Sequence, residues 1–172
     1  MRDALDLEEL YTASYRRLVM QVFAICGDMS KAEDAVQDAF VTAIRKRRQL
    51  SGVTNPEAWV RTVAVNQVRA GWRHAVVVRR YGAKVPGPQA PVEVGPDHVQ
   101  LVAALAQLDV DQRLVVVLHH LADLPVTDIA AELGVPVGTV KSRLSRGRSR
   151  LAELLDDRVD RPIRGQEEPR DA

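Results

Sequence analysis

Apolar residues in the first part of the chain recur at three- and four-residue intervals, the spacing of one face of an α-helix. Ala32, Ala35, Val36, Ala39, Phe40, Ala43 and Ile44 give the clearest run, a side able to pack against neighbouring helices. Start signals accompany the pattern. Asp6 with Glu9, and Ser30 with Glu33, fit a capping-box spacing, and Asn55 stands as a cap before the first-turn proline Pro56. Together they predict helices near 7–26, 31–48 and 56–74, a three-helix unit with room for a minor fourth element.

The later part reads as helical too, although Leu114-Val-Val-Val-Leu118 would pass by propensity for a buried strand. Such a strand has no evident sheet partner. Asp97 with Gln100, and Asp109 with Gln112, offer caps for helices near 98–108 and 110–122, and two more are predicted near 126–133 and 139–155. Between the two parts, Tyr81–Pro96 holds four of the nine prolines and three of the ten glycines, which blocks a continuous helix. Beyond Leu155 apolar residues nearly cease, and a disordered tail is expected. The fold class is therefore all-α: two small helical domains, 1–74 and 98–155, joined by a linker over 75–97, with a tail over 156–172.

Composition narrows the function. The 172 residues are 46% hydrophobic, enough for a core in each part, and 24 Lys and Arg nearly cancel 23 Asp and Glu. A polyanionic partner must then be held by local charge clusters. Cys26 is the only cysteine, so no internal disulfide forms and a zinc site is poorly supplied. His119 and His120 point about 100° apart on a helix; only His119 and Asp123 share a face, which argues against a metal. No Gly-rich loop carries the Lys-Ser/Thr pair that holds nucleotide phosphates. We expect no cofactor, no small-molecule substrate and no covalent chemistry. The opening residues lack the long apolar core of a signal peptide, and a soluble, cytoplasmic chain is expected.

Two surfaces carry candidate chemistry. In residues 126–145, Ala130 lies four residues before Gly134 and Val140 six after it, which suits two helices crossing closely at a short turn. Pro136 makes a helix running through that turn unfavourable, and Thr139 is the expected cap of the second helix. On that helix Val140, Leu144, Gly147 and Leu151 share one side. The other side centres on Ser142, Ser145 and Ser149, flanked by Lys141, Arg143, Arg146, Arg148 and Arg150, with no acid between 141 and 150. Small central side chains let a helix enter a major groove while long cations reach bases and phosphates. The second surface is on 56–74, where Thr62, Asn66, Arg69 and Arg73 form a narrow polar stripe beside apolar groups that include Trp59 and Trp72. With the preceding loop Ser51–Asn55, it suits unpaired bases. Arg45–Arg48 adds a basic cluster closing a helix whose first half carries Glu33, Asp34 and Asp38, an order that the helix dipole alone would favour.

This constellation resembles the extracytoplasmic-function sigma factors of bacterial RNA polymerase over about residues 7–155. The matching motifs are Ala32-Glu-Asp-Ala-Val-Gln-Asp-Ala-Phe40, Asn55-Pro-Glu-Ala-Trp-Val-Arg-Thr-Val-Ala-Val-Asn66 and Asp128-Ile-Ala-Ala-Glu-Leu-Gly-Val-Pro-Val-Gly-Thr-Val-Lys-Ser-Arg-Leu144. The resemblance implies that the first domain is sigma region 2, binding the polymerase clamp through Asp34, Gln37 and Asp38. It would read and melt the −10 element through Ser51, Val53, Thr54, Asn55, Thr62, Asn66, Arg69 and Arg73. The second would be region 4, reading the −35 element as duplex through Thr139, Lys141, Ser142, Arg143, Ser145, Arg146, Arg148, Ser149 and Arg150. Implied partners are core RNA polymerase, at its beta-prime clamp and beta flap, promoter DNA, and an anti-sigma factor. Ile44 departs from the family's usual Trp, and Arg69-Ala-Gly-Trp-Arg73 is less basic than usual for the −10 helix. A stand-alone DNA-binding regulator using only 98–155 is the alternative from another class.

Overall fold

The computed structural model describes residues 6–79 and 96–159, without the side chains of 72–79, 96–98 and 157–159. Most of the expected linker and the expected tail beyond 159 lie outside the described residues. Those described form helices α1 (Leu7–Cys26), α2 (Met29–Arg45), α3 (Arg47–Leu50), α4 (Pro56–Arg79), α5 (Pro96–Leu105), α6 (Val110–His120), α7 (Val126–Leu133) and α8 (Val137–Val159), with no strand among them.

Local chemistry sets the boundaries. The Asp6 carboxylate accepts from the Glu8 and Glu9 amides and starts α1, and Asn55 Oδ1 accepts from the Ala58 amide at the start of α4. Asp109 does the same for α6 through the Asp111 amide. The second helix departs from expectation. Its cap is Asp28, which accepts from the Lys31 amide, so Ser30 falls inside the helix and its capping box does not form. Asp97 likewise lies inside α5, which begins at Pro96. α4 continues to Arg79 and α8 to Val159, past the ends expected from the sequence.

α1, α2 and α4 pack around Leu18, Val22, Phe23, Ala32, Val36, Phe40 and Val60. Ile44 is the exception to the predicted apolar side, being 62% exposed. α5 to α8 close around Leu105, Leu114, Ile129, Leu133, Val140 and Leu144. The Leu114–Leu118 run is helical and wholly buried within α6, because α1, α7 and α8 surround it. Tertiary packing has overridden strand propensity there. Gly134 ends α7 in the left-handed region at φ 66°, as the short turn requires. Gly147 sits tightly against α6, since a Cβ added there would lie 2.8 Å from Val116 Cγ2.

The two units touch. Ala24, Ile25 and Val65 of the first join the core cluster of the second, and Val102 of α5 joins that of the first.

Candidate nucleic-acid interface

α8 is carried on a short turn whose geometry follows from its sequence. Pro136 has no amide to donate, but its carbonyl accepts from the Thr139 and Val140 amides, so α8 starts at Val137. Thr139 therefore sits in the first turn, half-buried, and is not the cap; its carbonyl accepts from the Ser142 hydroxyl. Val140, Leu144 and Gly147 are buried against α6 and α7, which turns the opposite side outward. There Lys141, Ser142, Ser145, Arg146, Arg148, Ser149 and Arg150 are all exposed.

The cations of this face are not equivalent. Lys141, Arg146 and Arg148 form no ion pair among the described residues, whereas Arg150 pairs with Glu153 at 2.9 Å. Arg143 is half-buried, and its guanidinium donates to the Asp111 carboxylate of α6. The sequence does not disclose this partner, because Asp111 lies 32 residues away along the chain. Beside this face His119 Nδ1 lies 2.9 Å from the Leu124 carbonyl, and its ring meets that of His120 edge to face. Burial, then His119 and then Arg148, pull the His120 pKa down. Asp123, in the turn that follows, takes φ 56°. No three His, Cys, Asp or Glu side chains cluster as metal ligands among the described residues.

In the first unit the loop residues Ser51, Thr54 and Asn55 are exposed and Val53 is half-buried, at the start of α4. Along α4, Asn66 is exposed while Thr62 and Arg69 are half-buried; Arg69 Nη1 lies 3.5 Å from Asn66 Oδ1. Arg73 is helical, with its side chain outside the described residues, as is that of Trp72. Trp59 packs on the first core. The basic run Arg45–Arg48 is exposed throughout, at the junction of α2 and α3.

Asp34, Gln37 and Asp38 are exposed on one side of α2. The same arc continues through Val41 and Ile44, exposed at 43% and 62%, and Tyr11 lies nearby, stacked on Tyr15 and edge-on to Phe40. An acidic strip bordered by bare apolar groups suits a protein partner. Val41 and Tyr11 escaped the sequence reading, though Val41 follows Asp34 and Asp38 at helical spacing.

Comparison with known proteins decides what these surfaces belong to. Residues 10–76 match the Sigma-70 region 2 family and residues 98–151 the Sigma-70 region 4 family. The RNA polymerase sigma factor CarQ of Myxococcus xanthus is 33% identical over 131 residues, covering 73% of this chain and 75% of its own. The ECF RNA polymerase sigma factor SigM of Mycobacterium tuberculosis is 30% identical, covering 89% of this chain and 79% of its own. This chain belongs to the extracytoplasmic-function sigma factors. It is a promoter-specificity factor for transcription initiation. Among solved structures, the sigma factor RpoE of Bartonella quintana, crystallised with the anti-sigma factor NepR, aligns with a TM-score of 0.75 at 30% identity, over 90% of this chain and 98% of that one. As a sigma factor, the chain carries its charge where the sequence placed it, on α8 and at the α2–α3 junction.

Proposed function

We propose that this sigma factor brings core RNA polymerase to promoters by dividing recognition between its two units. The second unit, residues 98–155, reads the −35 duplex with α8. Lys141, Arg146 and Arg148 contact phosphates or base edges, and Ser142, Ser145 and Ser149 let the helix approach the groove floor. Arg143 joins them only by exchanging the Asp111 carboxylate for DNA. Thr139 and Arg150 frame the contact. The first unit, 1–74, holds the non-template −10 strand between the loop Ser51–Asn55 and the stripe Thr62, Asn66, Arg69 and Arg73. Asp34, Gln37 and Asp38, with Val41 and Ile44 beside them, meet the polymerase clamp; residues 75–97 connect the units. The chain performs no covalent chemistry, and melting draws on binding energy within the holoenzyme. It works in the cytoplasm, under an anti-sigma factor of the kind that accompanies the Bartonella relative.

The observation that carries this reading is the exposure of Lys141, Arg146, Arg148 and Arg150 along a stretch of α8, 141–150, that contains no acidic residue. Reconstitution with core polymerase tests it. The expected result is a stoichiometric complex that initiates from promoters carrying separated −35 and −10 elements. Arg146→Ala is expected to weaken upstream footprinting, while Asn66→Ala leaves the upstream footprint and lowers permanganate reactivity at −10. Specific duplex binding without polymerase, and no complex with it, would favour a stand-alone regulator.

A further inference from the structure

Among the described residues, Arg143 is the one cation of the α8 stretch 141–150 whose charge is met from another helix. Its Nη2 donates to Asp111 Oδ2 of α6, and this is its one side-chain hydrogen bond among the described residues, so Nε and Nη1 keep their donors for another partner. The acceptor is held in place by its own helix. Asp111 stands in the first turn of α6, where its amide donates to the Asp109 carboxylate that caps the helix. Its neighbour Gln112 lies against Gly147, about one turn beyond Arg143 on α8. A Cβ added at Gly147 would lie 3.3 Å from Gln112 Cβ and 3.4 Å from the Gln112 carbonyl oxygen. The two backbones are therefore fixed against each other, and only the side chains can change partners.

This pair can be exchanged. The Arg143 and Asp111 side chains are 26% and 45% exposed, and an ion pair within reach of water and joined by a single bond holds weakly. A guanine edge in the major groove offers more, because its O6 and N7 together accept two bonds from one guanidinium. The other bases present no such pair of acceptors there. An arginine that meets the wrong base is ordinarily left with donors stripped of water and unmet, which is what makes a mismatch expensive. Arg143 instead has a partner to return to. With Asp111 fixed beside it, the wrong base costs only the difference between guanine and carboxylate, and the right base gains only that difference.

We propose that Asp111 is a specificity-determining residue of −35 recognition: a fallback acceptor for Arg143 that softens discrimination at the base pair Arg143 meets, so that upstream elements varying there are still accepted. This rests on the reading of α8 as the −35 helix. Asp111 acts through Arg143 and is a positioning residue rather than a base contact. Its other role, an acid complementing the dipole at the start of α6, is independent of Arg143 and of DNA.

Holoenzyme reconstituted from the full chain, titrated onto promoters in which each −35 base pair is replaced in turn, tests the assignment. Asp111→Asn keeps the shape of the side chain, removes its charge and leaves the Asp109 cap in place. The expected result is a gain in affinity about two- to fivefold larger on promoters with guanine at one −35 position than on those with any other base there, the size set by the exchange of a half-exposed ion pair. Discrimination at that position sharpens by the same factor and at the other positions does not move. In an Arg143→Ala background Asp111→Asn should leave base preference untouched, and any equal shift on all promoters that remains there measures the loss of a negative charge alone. A role confined to the helix dipole would change the melting temperature without changing base preference. A gain from Asp111→Asn equal on every promoter, or a preference that sharpens without Arg143, would overturn the proposal while leaving α8 as the reader. Wild-type holoenzyme indifferent to every −35 substitution would refute the reading of α8 itself, and the role of Asp111 with it.

Discussion

A single missing methyl group sets how closely α8 approaches α6. At Gly147 an added Cβ would lie 2.8 Å from Val116 Cγ2 and 3.3 Å from Gln112 Cβ, both on a helix already packed on its other sides. Gly147→Ala is therefore expected to lower stability by about 1–3 kcal/mol despite alanine's better helix propensity, measured by chemical denaturation. Gly71, with nothing within 4 Å, is the control, and Gly71→Ala should gain up to about 1 kcal/mol. Asp28 carries a different load. Burial would raise its pKa, but the Lys31 ammonium at 2.9 Å and the Lys31 and Ser30 amides outweigh this and hold it below the ordinary value. Its contribution is thus complete at neutral pH and lost as pH falls through that lowered range. Asp28→Ala should cost about 1 kcal/mol at pH 7, with the difference from wild type shrinking on acidification. Residue chemistry of this kind was only partly legible: Asp6, Asn55 and Asp109 announced their caps, whereas Asp28 was passed over for Ser30, which had the formal capping-box spacing.

At the scale of the element, α8 concentrates what the sequence said most clearly. Its small serines and long cations segregate by a period that needs no tertiary information, and burial of Val140, Leu144 and Gly147 turns the charged side outward. What the period could not disclose is pairing across the fold. Arg143 answers to Asp111 on α6, so among the described residues the five cations of the face separate into three without an ion pair and two engaged. The consequence is measurable in salt titrations of upstream duplex binding by the holoenzyme. Arg146→Ala or Arg148→Ala should each reduce the slope of log affinity against log salt by about 0.9 if each cation meets one phosphate. Arg143→Ala should change that slope less, because its charge is already partly neutralised. α6 gives the opposite lesson. Its valine run gave no helical signal of its own, and only three surrounding helices explain why every position from Leu114 to Leu118 is buried.

For the whole molecule, the helices were legible from punctuation and periodicity, but the contacts between distant ones were not. Arg61, Arg113 and Glu132 sit among ordinary helical residues, and nothing in their spacing tells that a side chain will meet its partner 71 or 88 positions away. Because Ala24, Ile25 and Val65 pack into the core of α5 to α8 and Arg61 pairs with Glu132, the described helices should unfold in one calorimetric transition, and Glu132→Lys should resolve it into two. Ile44 has a consequence of another kind. An isoleucine this bare, one turn from the exposed Val41, makes the solitary chain sticky, so overproducing it without the rest of the transcription machinery should yield soluble oligomers that light scattering detects. Ile44→Lys should keep the preparation monodisperse at concentrations where the parent clumps. A handling nuisance at the bench would thus trace to the oily spot that lets this subunit be gathered into a larger machine.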